Sequence, residues 1–252
     1  MVKKSNLEKQ LNSLISEAGS ALDSFLEKKD SEDIHRLRVA IKKIRALAWL
    51  QKKCGASGAQ AQADRLKKIF KHAGRIRTSQ VMLSLIGDIG KAGRKIIASE
   101  KRKELASTRA FKKQKPRYHD LLFSVGKTTH VHPMKKKRVL RVYKKALRKT
   151  DSLLHSEEDE QIHESRKRIK RLIYNYPLLG KKAKKKLGLD KKFLGKAEET
   201  IGEWHDAVIA FDFMKKVPAI SKTSLSKLEH KAGKKKKKLR SVTRSFLDKA
   251  LK

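Results

Sequence analysis

The stretch Ile34–Leu50, IHRLRVAIKKIRALAWL, decides the fold, because it returns later in the chain as Ile162–Leu178, IHESRKRIKRLIYNYPL. His35 is matched by His163, Arg38 by Arg166, and Lys42-Lys43 by Lys170-Arg171, each 128 positions on. A second pair, AGRIRTSQV (Ala73–Val81) and IGEWHDAVI (Ile201–Ile209), sets Gly74 against Gly202 at the same spacing. That spacing is close to half of the 252 residues. One gap-free offset shared by two segments reads as a duplicated helical unit. A single domain over 1–252 is expected, with repeat halves 1–126 and 127–252.

Around these segments the apolar residues recur at three and four: Leu7, Leu11, Leu14, Ile15, Ala18, Leu22, then Ile34, Leu37, Ile41, Ile44, Ala48. No alternating, β-branched segment competes with this helical period. Lys, Leu, Ala, Arg and Glu dominate, and only four prolines interrupt. The fold class is therefore all-α. Helices are predicted over 5–28, 31–52, 60–86 and 93–124, then 134–154, 157–180, 190–215 and 222–251. GKTTHVHP at 126–133 marks the break. Acidic runs, Asp30-Ser31-Glu32-Asp33 and Ser156-Glu157-Glu158-Asp159, open the second helix of each half. Ser156 with Asp159 fits a capping box, and the carboxylates complement the helix dipole.

Composition narrows the function. With 66 Lys+Arg against 26 Asp+Glu, the net charge is +40 at neutral pH. Cations held close repel one another, so such a fold either spreads its charge in water or holds a polyanion. Cys54 is the one cysteine, which excludes an intramolecular disulfide and a multi-cysteine zinc site. The longest apolar runs, such as Ala46–Leu50, are far too short to span a membrane as a helix. The start, MVKKSNLEKQ, lacks the apolar stretch of a secretion signal. A reducing, cytoplasmic location is the expectation.

The repeated helix arranges its charge in a particular way. His35, Arg38, Lys42 and Arg45 fall on one stripe, bordering the apolar stripe of Ile34, Leu37, Ile41 and Ile44. A solvated surface helix more commonly sets its charges opposite the core. The second copy repeats the pattern with His163, Arg166 and Lys170. Two such helices would line a shared basic groove. The lysine runs Lys181–Lys186 and Lys234–Lys238 are read instead as solvated decoration.

A histidine, an arginine three later and a basic cluster seven later, once in each half, resembles the CHAD domain, the conserved histidine α-helical domain. His35, Arg38, Lys42, Lys43 and Arg45 carry the first copy; His163, Arg166, Lys170 and Arg171, followed by Tyr174, carry the second. Gly74-Arg75-Ile76-Arg77-Thr78 and Gly202-Glu203-Trp204-His205-Asp206 look like the family's third-helix segments, with Thr78 where an aspartate is usual. The resemblance implies two four-helix bundles related by a pseudo-twofold axis around a basic central channel. It implies binding of inorganic polyphosphate and association with polyphosphate granules. Arg77, His205, Arg141 and Lys145 join the stripe residues as candidate polyphosphate contacts. No cofactor or resident metal is expected.

Two rivals stand beside this reading. Nonspecific nucleic-acid binding suits the charge, and IGKAGRKII (Ile89–Ile97) resembles the glycine loop of KH domains. That fold needs flanking strands, however, and at 6% aromatics the chain offers few platforms for stacked bases. A metal-dependent phosphohydrolase could use His35, His163 and His205, but such chemistry wants clustered carboxylates. His130 and His132 lack obvious further ligands. Binding without catalysis is the expectation. A membrane-surface role for the basic C-terminal segment, with Leu239, Val242, Phe246 and Leu251 on one side, is the weakest alternative.

Overall fold

The computed structural model describes the chain apart from Met1, Ser57, 87–89, 218–219 and Lys252, and apart from side chains within 85–93. It is helical throughout the described residues. The helices are α1 (Lys4–Lys28), α2 (Ser31–Lys53), α3 (Gly58–Arg65), α4 (Lys67–Ile86), α5 (Gly90–Lys113) and α6 (Lys115–Thr128). They continue with α7 (Lys136–Leu154), α8 (Asp159–Asn175), α9 (Lys181–Leu187), α10 (Lys191–Met214), α11 (Lys222–Thr243) and α12 (Phe246–Ala250). Extended pairing among the described residues is limited to single bridges, Val2 with Met134 and Leu189 with Leu251.

The chain forms two compact units, Met1–Lys135 and Lys136–Lys252. The expected halves met earlier, between 126 and 127. The segment after α6 stays with the first unit because its apolar residues have a place there: Val131 and Met134 are buried. The Gln51 side chain fixes it, donating to the His132 carbonyl at 2.9 Å and accepting from the His132 amide at 2.8 Å. His132 therefore serves as a backbone anchor.

In the first unit α1 packs on α2, α2 on α4, α4 on α5, and α6 returns to α1. Leu7, Leu11, Leu22, Ile34, Leu37 and Ile41 are buried in its core. Burying each such side chain contributes about 1.5–3 kcal/mol. Phe111 meets Phe25 and His72 edge to face and Tyr118 at a tilt, and His72 Nδ1 lies 2.6 Å from the Tyr118 hydroxyl. In the second unit α7 packs on α8, α8 on α10 and α10 on α11, while α12 closes against α7 and α10. Trp204, Tyr143 and Phe246 fill that core.

The first two helices keep their predicted bounds, and the Asp30 side chain caps α2 by accepting from the Glu32 amide. Other expectations change. The predicted 60–86 helix is two helices, because Leu66 bonds back three residues to Ala63 and turns inward, fully buried. The predicted 93–124 helix breaks at Gln114, ahead of Pro116, whose nitrogen has no proton to give. Helix α8 ends at Asn175 because Pro177 has no N–H to carry the ladder on; one 3₁₀ turn, Tyr176–Leu178, follows. The last helix divides where Ser245 adopts a left-handed φ of 54°.

The Ser156–Asp159 capping box is not what forms. Helix α8 begins at Asp159, and Ser156 Oγ accepts from the Glu158 amide two residues on. Arg240 of α11 holds this turn, donating to the Leu154 and Ser156 carbonyls and to the Glu157 carboxylate. Leu239 and Phe246 are buried, so the apolar side of the C-terminal segment completes the second unit's core. No described helix is long and apolar enough to cross a membrane.

Candidate polyanion-binding faces

The stripe in the first unit is set by the packing of α2. Ile34, Leu37, Ile41 and Ile44 are buried, and so Arg38, Lys42, Lys43 and Arg45 are carried at the rim, half-buried, with His35 exposed. Arg38 reaches across to α4. Its Nη1 donates to the Phe70 carbonyl at 2.8 Å, and its guanidinium carbon lies 4.2 Å from the centre of the Phe70 ring. Lys42 and Arg45 approach the same ring, at 5.8 and 5.9 Å. An aromatic face attracts cations through its quadrupole without cancelling their charge. Carboxylates meet this stripe at its edges: Glu17 pairs with Lys43 at 3.4 Å, and Asp64 stands 3.9 Å from Arg45. Arg77 is half-buried on α4; burial first, then its charge, hold the Arg38 guanidinium below its ordinary pKa.

The second unit builds the same crossing with other chemistry. Arg166 Nε donates to the Glu198 carbonyl at 3.3 Å, so the partner again lies 32 residues on. Position 198 carries a carboxylate where position 70 carries a ring. Glu198 Oε1 accepts from Arg166 Nε at 2.8 Å and meets Lys170 Nζ at 3.0 Å. Arg171 lies 3.8 Å from Glu164, which also meets Lys167 and Arg168. In this copy each of these cations has a carboxylate beside it.

The matched glycines have a shared cause. A Cβ on Gly74 would stand 2.5 Å from Arg38 Nη1; one on Gly202 would stand 2.5 Å from Arg166 Nη2 and 2.9 Å from Cζ. Each arginine crosses its neighbouring helix at the bare glycine.

His163 and His205 stack, with ring centroids 4.0 Å apart and planes 31° apart. Burial, then the neighbouring His205, push the His163 ring down to about 4. Burial likewise lowers His205. His163 Nδ1 is buried and finds no hydrogen-bond partner among the described residues. Both rings are thus neutral at physiological pH and contribute no charge to an anion. His35 is exposed whereas His163 is half-buried against His205, so the two histidines differ in setting.

Arg141 and Lys145 lie elsewhere, on the exposed side of α7, in a concavity of about 830 Å³ that Lys186 of α9 also borders. Lys186, expected as solvated decoration, instead borders this concavity. Phe70 and Glu198, absent from the expected site, align at the offset of 128, the one signal of the pair that the sequence carries. The glycine-loop segment Ile89–Ile97 lies partly outside the described residues; the backbone from Gly90 belongs to helix α5.

These features define a class: an all-α protein of two helical units, each with an arginine crossing between its second helix and the next long one. Residues 7–215 match the family model of the CHAD domain, and the chain belongs to that family. Its fold is similar to the crystal structure of the CHAD domain from the plant Ricinus communis. That similarity covers 94% of this chain and 91% of that one, with 17% identity and a TM-score of 0.69. No curated protein matches.

Proposed function

We propose that the chain binds inorganic polyphosphate through its cationic helix faces, without catalysing a reaction on it, and associates with polyphosphate granules. The observation that carries this reading is the gathering of Arg38, Lys42 and Arg45 around the Phe70 ring, which brings three cations together at one place on the surface of the first unit. A polyphosphate strand carries roughly one charge per phosphate and no bases, so a face of cations suits it. Arginine forks onto phosphate oxygens, and lysine supplies a movable point charge. Membership of the CHAD family supports the choice of ligand over nucleic acid. Among the described residues, no group of three or more His, Cys, Asp or Glu is placed to hold a metal ion. This favours the binding reading over a metal-dependent phosphohydrolase.

The test avoids Arg38 and Arg166, whose crossings also hold helices together. The pair Arg45→Glu and Arg77→Glu should weaken retention of medium-chain polyphosphate on a filter by at least about tenfold in low salt. Full retention by that variant, folded by circular dichroism, removes the face around Phe70 from the account. Phosphate release from polyphosphate with Mg²⁺ or Mn²⁺, lost in His35→Ala, would replace binding by catalysis.

A further inference from the structure

The concavity on α7 differs from the crossings just described in having no acid among its lining residues. Lys137, Arg141, Lys144, Lys145 and Arg148 recur at four, seven, eight and eleven, one face of the helix, with Lys136 at its start. Among the described residues none of these six side chains forms an ion pair. Leu140 supplies the apolar floor, 7% exposed. The first and last of the five stand about 16 Å apart at 1.5 Å per residue. A row of unpaired cations on a concave face raises the local potential and concentrates anions.

The matching helix of the first unit shows that packing does not demand this charge. Buried Val139, Ala146, Thr150, Leu153 and Leu154 of α7 answer, 128 positions on, to buried Leu11, Ala18, Leu22, Phe25 and Leu26 of α1. At the same offset, Lys136, Arg141, Lys144, Lys145 and Arg148 answer to Glu8, Ser13, Ser16, Glu17 and Ser20, while Lys137 alone answers to a cation, Lys9. One scaffold is thus nearly neutral in the first unit and cationic in the second. The lining has no aromatic ring to stack a base and no Asn, Gln, Ser or Thr to read a base edge.

We propose that this concavity is a binding site for a linear condensed phosphate lying along α7, contained wholly in the second unit. The proposal rests on the polyphosphate reading and adds a site that the histidine-headed stripes do not supply. Orthophosphate meets one or two of the cations, whereas a chain spanning the row meets them all, so affinity climbs with chain length until the row is covered.

Calorimetric titration of the intact chain tests this, with orthophosphate, tripolyphosphate and medium-chain polyphosphate as probes. The double variant Arg141→Glu, Arg148→Glu should bind medium chains at least about tenfold more weakly. Its slope of log K against log salt should fall by about 1.4, for two lost contacts at about 0.7 each. The neutral pair Arg141→Gln, Arg148→Gln should lose less affinity and the same slope. A control of equal charge outside the concavity, Lys222→Glu with Lys227→Glu at the exposed start of α11, should change affinity by less than about twofold. Equal losses in concavity and control variants would overturn the site while leaving polyphosphate binding intact. Equally tight binding of single-stranded RNA would overturn its ligand class. An intact chain that takes up no polyphosphate would overturn both this site and the proposed function.

Discussion

Phe70 and Glu198 occupy corresponding places, each at the carbonyl that receives an arginine, from α2 in the first unit and from α8 in the second. The ring gathers Arg38, Lys42 and Arg45 without adding a charge of its own; the carboxylate takes Arg166 and Lys170 as partners and offsets one of their two charges. Backbone geometry is thereby kept while electrostatic character is exchanged. The difference teaches that a repeated basic motif is not a repeated basic face. In the second unit unpaired charge lies instead on α7, whose counterpart α1 is nearly neutral along that side.

The comparison breaks most visibly at the glycines. Gly202→Ala should destabilise by about 1–3 kcal/mol, because the new methyl meets an Arg166 guanidinium that Glu198 holds in place. Gly74→Ala should stay within about 1 kcal/mol of the parent. There the methyl meets one guanidinium nitrogen, and alanine's better helix propensity offsets about 1 kcal/mol. Thermal unfolding of the two variants checks this. Equal shifts would mean the arginines are equally free to yield.

Exchanging the chemistry at the paired positions comes next. Phe70→Glu places a carboxylate among three cations and should weaken polyphosphate binding by about tenfold. Glu198→Gln should do the reverse, strengthening it about fivefold while lowering the melting temperature by a few degrees, for about 1 kcal/mol lost in a chain this size. Calorimetry and a thermal melt report both quantities. Unchanged affinity in both variants would show that neither stripe meets the ligand.

The smallest effect is the pH dependence of the stacked histidines. His163 is held below its unfolded value, so the unfolded chain takes up a proton that the folded chain refuses between about 6.5 and about 4. Its contribution to stability is fully present above about 6.5 and is lost as pH falls through that window. The ring's partial solvent contact limits the loss to about 1 kcal/mol. His163→Gln should flatten the fall in melting temperature between pH 6.5 and 4. An unchanged slope would remove the stack as its source.

Much of the fold was legible because helical period and local caps are local properties. The heptad-like run from Leu7 and the Asp30 cap bounded α1 and α2 closely. What the sequence hid were turns decided at a distance. Leu66 breaks a helix by turning into the core, and Ser156 gives its oxygen to a turn that Arg240 holds from 84 residues away. The stripe of His35, Arg38 and Lys42 could be read from spacing, but not the commitment of Arg38 to a carbonyl on another helix. Gly74 and Gly202 were visible as a matched pair; their reason, a guanidinium lying across them, needed the packing. Lys186 looked like one lysine in a run until α9 placed it beside α7.

Competition between polyphosphate and duplex DNA for the intact chain at physiological ionic strength tests the central claim most directly. Faces built of arginine and lysine, with few aromatic platforms, should keep medium-chain polyphosphate in the presence of excess DNA and surrender DNA to a small amount of polyphosphate. Displacement that is equally easy in both directions, or no polyphosphate binding at that salt, would contradict the account.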